Sequence, residues 1–260
     1  MNIHTEELSD ITRYLENHKH LTLEDYAGDF DLIMGRIRQF KKIDETCSLF
    51  EVGVGTGWLP TLCKRNGISC KGMEISPQLV ENACEFSRKH GVEPEIVLGN
   101  IEDDSIGDSE YDVIIATSTF EHVERWRDGI KKIFEALKPG GLFYFYSTNK
   151  FSIFKSHEYN FPLYGWLPDR MRYRFRVSRQ GEDIMKLGID FNQFTHGRLR
   201  RVFREIGFSE TYDRLDVFCR YRSNHSTGMK YRILSLVGKL PPLRELALLF
   251  SSGTLFICIK

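Results

Sequence analysis

Short apolar runs recur along the first two-thirds of this chain, each stopped by glycine or polar residues and followed by a stretch with helical spacing. The runs about 48–53, 69–75, 95–98, 111–117 and 142–148 read as strands. They are short and, apart from 69–75, rich in Val, Ile and Phe at neighbouring positions, as strands buried on both faces are. Between them, about 57–66, from Ser76-Pro77 to near Gly91, and about 126–137, apolar residues recur at three and four. Pro77 sits where a helix tolerates proline, at its first turn. Two further helices, Thr5 to His18 and Leu23 to Lys41, precede the first strand. A third, Thr195 to Ile206, opens on a Thr N-cap, and runs about 209–218 and 253–259 read as final strands. Strands alternating with helices predict an α/β fold with a parallel, doubly wound sheet.

Two stretches break the alternation. Residues 149–194 mix aromatics, prolines and arginines, and residues 220–252 form a second insertion. The expected organisation is one domain over 1–260: an N-terminal helical cap (1–44), a core (45–148), a lid insertion (149–194) and a C-terminal completion of the sheet (195–260). The 149–194 segment leaves a strand's carboxyl end, where open α/β sheets bind ligands, so it is expected to decide the substrate.

At 260 residues and 41% hydrophobic content the chain can bury a sizeable core. Six cysteines lie scattered with no Cys-x-x-Cys pair, so they read as free thiols of a reducing compartment; no metal site is expected. The acidic first residues lack a signal-peptide profile and no apolar run is long enough to span a bilayer, which predicts a cytoplasmic protein. Net charge is zero but unevenly placed. Residues 1–149 carry 16 Lys/Arg against 26 Asp/Glu, and residues 150–260 carry 20 against 10. The basic surplus, which includes Arg170 and Arg172, suits either solvated faces against the acidic half or an anionic substrate held by arginine forks.

The densest chemical signal is Glu51-Val52-Gly53-Val54-Gly55-Thr56-Gly57, a strand running into three alternate glycines. Such a loop lets backbone approach a ligand closely, with the following helix pointing free N–H groups at it. A carboxylate two residues ahead of the first glycine repels phosphate and favours a ligand with positive charge and hydroxyl or amino donors. S-adenosylmethionine fits that description better than a dinucleotide. The second strand ends in Glu74, about 20 positions on, the spacing at which a carboxylate meets a ribose. The third ends in Asn100-Ile101-Glu102, the fourth runs into Thr117-Ser118-Thr119-Phe120-Glu121-His122, and Leu137-Lys138-Pro139-Gly140-Gly141 precedes the fifth.

That ordered series resembles the class I S-adenosylmethionine-dependent methyltransferases, in particular the ubiquinone-biosynthesis O-methyltransferase branch, over roughly residues 45–150 with a fainter echo at Thr195 to Phe208. The resemblance implies a Rossmann-like seven-stranded sheet whose C-terminal strand runs antiparallel. It implies that Glu51, Gly53, Gly55 and Gly57 line the methionine and ribose, and that Glu74, with Ile75 beside it, binds the ribose hydroxyls. Asn100, Ile101 and Glu102 would flank the adenine, and Thr117 and Ser118 would lie near the sulfonium. Asn100 stands where the family usually has Asp, yet its carbonyl can still accept from an amino group.

For transfer to a small-molecule hydroxyl, His157 with Glu158 beside it is the expected general base, and His122, Tyr159, Trp166, Arg170 and Arg172 are the expected substrate contacts. A nucleic-acid partner is not expected, because Ala116-Thr117-Ser118-Thr119 lacks the Asp/Asn-Pro-Pro-aromatic signature of amino-methyltransferases. Peripheral membrane contact and a lipid-linked or sugar acceptor stay open, given the Leu-rich but interrupted stretch Tyr231 to Phe250. The alternatives are a catalytically inactive cofactor-binding scaffold and an NAD-binding oxidoreductase.

Overall fold

A computed structural model describes residues 9–154, 162–182, 192–223 and 236–260. Seven strands form one sheet: β1 (Ser48–Val52), β2 (Ser69–Glu74), β3 (Ile96–Leu98), β4 (Tyr111–Thr117), β5 (Leu137–Ser147), β6 (Glu210–Asp213) and β7 (Thr254–Ile259). Their order is β3-β2-β1-β4-β5-β7-β6. β1 to β5 are parallel, and β7 runs antiparallel to both β5 and β6. The expected Rossmann-like sheet, mostly parallel with an antiparallel C-terminal strand, is thus the fold observed.

Helices cover both faces, and strand periodicity divides the core between them. Phe50, Ile114, Phe143, Phe145 and Phe256 face α5 (Trp126–Ala136) and α7 (His196–Ile206), meeting Ile130, Ile133, Val202 and Phe203. Their strand neighbours Leu49, Val113, Tyr144 and Ile257 face the other way, onto Ile33 and Met34 of α2 (Leu23–Ile37) and Leu59 and Cys63 of α3 (Trp58–Arg65). One-residue alternation along each strand therefore builds two cores from one sheet. α1 (Ser9–His18) and α4 (Pro77–Lys89) flank the β2–β3 side, and α6 (Asp169–Gln180) lies within the 149–194 insertion.

Two expectations are corrected. Residues 214–218 are helical: β6 stops at Asp213 and α8 (Arg214–Ser223) follows at once. The cause is local, because Asp213 Oδ1 accepts from the backbone N–H groups of Leu215 and Asp216 and so caps the helix. β5 begins at Leu137, five residues earlier than the apolar run suggests. Leu137 pairs with Tyr111, the register then shifts, and Pro139-Gly140-Gly141 is accommodated as a bulge before Leu142 pairs with Val113. The last described helix is α9 (Pro241–Leu249), inside the second insertion.

Strand order reverses between β1 and β4, so the turns leaving β1, β2 and β4 open a crevice at the carboxyl edge of the sheet.

Candidate active site

A cavity of about 640 Å³ occupies that crevice, within the size range of small-ligand sites. The glycine loop supplies one wall. Gly53, Gly55 and Gly57 have φ of 77°, 56° and 82°, values that L-residues rarely adopt. Gly55 faces the cavity, where a Cβ would stand 2.9 Å from the Tyr14 hydroxyl. Gly57 is needed for packing: a Cβ there would lie 2.8 Å from that of Ala83 on α4. Ser118, one of three non-glycine residues with positive φ among the described residues, lies where β4 turns into the cavity.

Glu74 at the end of β2 is buried on the cavity wall. Its carboxylate accepts from the backbone N–H of Gly55 and Ile75, both at 2.9 Å, and of Ser76 at 3.3 Å. Burial raises its pKa; those three donors and the nearby His122 offset only part of the effect. Each carboxylate oxygen carries two lone pairs, and with Oε1 taken by Ile75 and Ser76 and Oε2 by Gly55, Oε2 can still accept from a ribose hydroxyl. Asn100 holds the next turn together, donating to Asp103 and accepting from the Glu102 N–H. Glu102 accepts from the Glu124 and Arg125 N–H groups, which fixes the floor beneath the cavity. The buried diol acceptor, the open approach at Gly55 and the partly apolar walls from Ile75, Leu79 and Ile101 fit the ribose and adenine of S-adenosylmethionine.

The sequence-predicted residues distribute as follows. Gly53, Gly55, Glu74, Ile75, Asn100, Ile101, Glu102, Thr117, Ser118 and His122 line the cavity together. Glu51 is not on the wall; it is buried behind the loop, with Oε2 lacking a hydrogen-bond partner. Burial, then the neighbouring Cys63 and Glu74, push its pKa well above the usual carboxylate range. Gly57 stands behind the loop as well. Trp166 is half exposed and stacks on Phe250 away from the cavity, and Arg170 is exposed. Arg172 is buried, paired with Asp169 at 2.7 Å and packed near Tyr164 and Tyr173, and is not part of the wall either. His157, Glu158 and Tyr159 lie outside the described residues.

Sequence reasoning missed two contributions. Arg13, Tyr14, Asn17 and His18 of α1 border the cavity, and their spacing marks one helix face. Arg176 of α6 also borders it, four residues beyond Arg172 and therefore on the same inward side. His122, in a short 3₁₀ turn after β4, has a buried Nδ1 with no hydrogen-bond partner.

Comparison with known proteins agrees with this geometry. The family described as "Methyltransferase domain" matches residues 50–145. A malonyl-[acyl-carrier protein] O-methyltransferase of Priestia megaterium is 32% identical over 105 residues, 39% of this chain and 37% of that protein. A ubiquinone biosynthesis O-methyltransferase of Rickettsia conorii is 28% identical over 108 residues, 40% of this chain and 37% of its own. The aligned stretch thus spans little more than a third of these relatives' length. Among solved structures, an S-adenosylmethionine-dependent methyltransferase from Mesorhizobium loti superposes with a TM-score of 0.59 at 16% identity, covering 92% of this chain and 100% of that one. At that identity the likeness speaks for the fold.

Proposed function

We propose, for a chain that belongs through residues 50–145 to the class I S-adenosylmethionine-dependent methyltransferases, that it methylates a hydroxyl oxygen on a small molecule carrying an anionic group. The observation that carries the reading is the cavity at the sheet's switch point, where Gly55 backbone and the Glu74 carboxylate share one wall. When bound there, S-adenosylmethionine supplies a methyl group already activated by its sulfonium. Glu74 would hold the ribose hydroxyls, and Ile101, with Asn100 and Glu102, would border the adenine. Thr117 and Ser118 would border the reacting end.

The acceptor's share of the work is orientation and proton removal, since placing the nucleophile in line accounts for much of the rate. His122 suits the proton-accepting role: it borders the cavity and its Nδ1 has no hydrogen-bond partner. His157 with Glu158 is the alternative base. Arg176 and Arg13 border the same cavity and suit an acceptor carboxylate or phosphate. Residues 149–194, which contribute Arg176, would act as the lid that selects the acceptor.

Calorimetry with S-adenosylhomocysteine tests the cofactor part. Gly55→Val, which forces a branched side chain into positive φ and into the cavity, is expected to abolish binding. Unchanged affinity in that variant would refute the assignment. A screen of metabolite extracts for methylated products then identifies the acceptor. A product methylated on nitrogen or carbon would defeat the hydroxyl reading while leaving the cofactor reading intact.

A further inference from the structure

Exposed apolar side chains are not spread evenly over this protein. Among the described residues, ten of the thirteen large hydrophobics that stay exposed lie in two segments, 153–171 and 236–249. Soluble surfaces seldom gather apolar side chains in this way without a partner. In α9, Leu243, Leu246 and Leu249 follow one another at intervals of three and are 46%, 51% and 37% exposed, so one face of the helix is a leucine stripe. In the insertion, Ile153 and Phe154 are exposed beside Trp166.

The two segments are fastened to each other. Trp166 stacks on Phe250 with ring centroids 6.1 Å apart and planes 4° from parallel, and meets Phe151 edge-on. Its Nε1 donates to the Ser152 carbonyl. Asn149 Nδ2 donates to the carbonyls of Leu249 and Ser251 at 2.9 and 2.8 Å, with that of Leu248 3.1 Å away. The root of the insertion and the end of α9 therefore form one unit, placed where β5 leaves the sheet at the edge bearing the cavity.

Charge indicates what covers this face. Lys150, Arg170, Arg174, Arg179 and Lys239 are exposed within or beside the same two segments. Of the exposed acidic residues described there, Asp169 is paired with Arg172 and Glu245 with Arg200, and Glu182 lies just beyond. An apolar stripe framed by cations is complementary to a bilayer with anionic headgroups. No helix among the described residues is long and apolar enough to cross a membrane, so the contact is peripheral. We propose that the described parts of these joined segments, residues 150–154, 162–179 and 236–250, dock this protein on an anionic lipid bilayer. The consequence for the substrate rests on the transfer reading: the acceptor would reach the cavity from the membrane.

The test is sedimentation of the full chain with phosphatidylcholine vesicles, with and without phosphatidylglycerol, in the absence of cofactor and acceptor. The wild type is expected to pellet with the anionic vesicles and to stay in solution with phosphatidylcholine alone. Leu243→Asp combined with Leu246→Asp is expected to weaken partitioning at least about tenfold, given the apolar area withdrawn. S-adenosylhomocysteine affinity should be unchanged, because neither residue borders the cavity. Should the double variant not fold, brominated lipids in the anionic vesicles are expected to quench Trp166 of the wild type. Failure to pellet with anionic vesicles, or absence of that quenching, overturns the proposal. So does a dimer in sedimentation velocity that the aspartates dissociate, since a second copy would then cover the stripe. None of these readouts involves methyl transfer, so docking and transfer fail separately.

Discussion

Acidification should destabilise this protein through one buried imidazole. His196, the first residue of α7, is 3% exposed and neither ring nitrogen makes a hydrogen bond. Burial lowers its pKa from 6.5 to about 4; the pull of the Asp213 carboxylate offsets only part of that, and the Arg214 and Arg200 cations add to the lowering. A cation at a helix N-terminus is opposed by the helix dipole too. The folded state therefore keeps His196 neutral while the unfolded chain takes up a proton below pH 6.5. Between pH 6.5 and about 4 the unfolded state binds more protons, so stability falls as pH falls through that window and the loss levels off below it. A shift from 6.5 to about 4 corresponds to about 3 kcal/mol in full, of which about 2 kcal/mol is reached by pH 5. His196→Phe keeps an aromatic ring against Phe256, whose centroid is 5.6 Å away, and removes the titration. Urea unfolding of both proteins at pH 7.5 and pH 5 isolates the term, because the carboxylates titrate alike in each. Wild type should lose about 2 kcal/mol more than the variant. Equal losses would show that His196 is not held neutral in the fold.

Gly57→Ala should lower stability by about 1–3 kcal/mol in thermal unfolding, because positive φ and the contact with Ala83 both resist a Cβ. Asp213→Ala should cost about 3–5 kcal/mol by denaturant titration, since it leaves Arg200 and Arg244 without their shared buried carboxylate and strips the cap from α8. Arg176→Gln should raise the acceptor KM while leaving S-adenosylhomocysteine affinity within a few-fold; equal loss of both would make it part of the cofactor wall. His122→Ala should lower turnover about 10²–10⁴-fold with recovery at high pH if it is the base, and a parallel His157→Ala variant decides between the two.

Much of the fold can be read from the chain because its parallel strands are short, largely apolar and bounded by glycine or polar residues, so type and position follow from local pattern. β4 is read at its observed limits for this reason. The error at 214–218 has the opposite cause. α8 has little amphipathic contrast, and its start depends on an Asp213 side chain whose direction only the folded chain fixes. The same distinction applies at the site. Gly55, Glu74 and Asn100 were accessible because the loops after successive strands must converge at a switch point. Arg176 was not, since composition reveals a run of arginines but not which side of α6 turns inward. The resemblance implies a lining role for Glu51, whereas alternation along β1 places its side chain behind the loop.

The position of β7 between β5 and β6 bears on how the chain assembles. β6 has β7 as its sheet neighbour, and β5 meets β7 through pairs such as Phe143 with Cys258, about 115 residues apart. One end of the sheet thus closes late: β6 (210–213) emerges from a ribosome about 40 residues ahead of β7 (254–259), which joins it to β5. Contacts of such long separation slow folding, because the loop must be closed before any pairing energy is gained. In the interval Phe143 and Phe145 present an open strand edge, the state in which nascent chains recruit chaperones or one another. Nascent-chain proteolysis should therefore find the β1–β4 region protected early, while Phe143 and Phe145 remain cleavable until residue 259 has emerged.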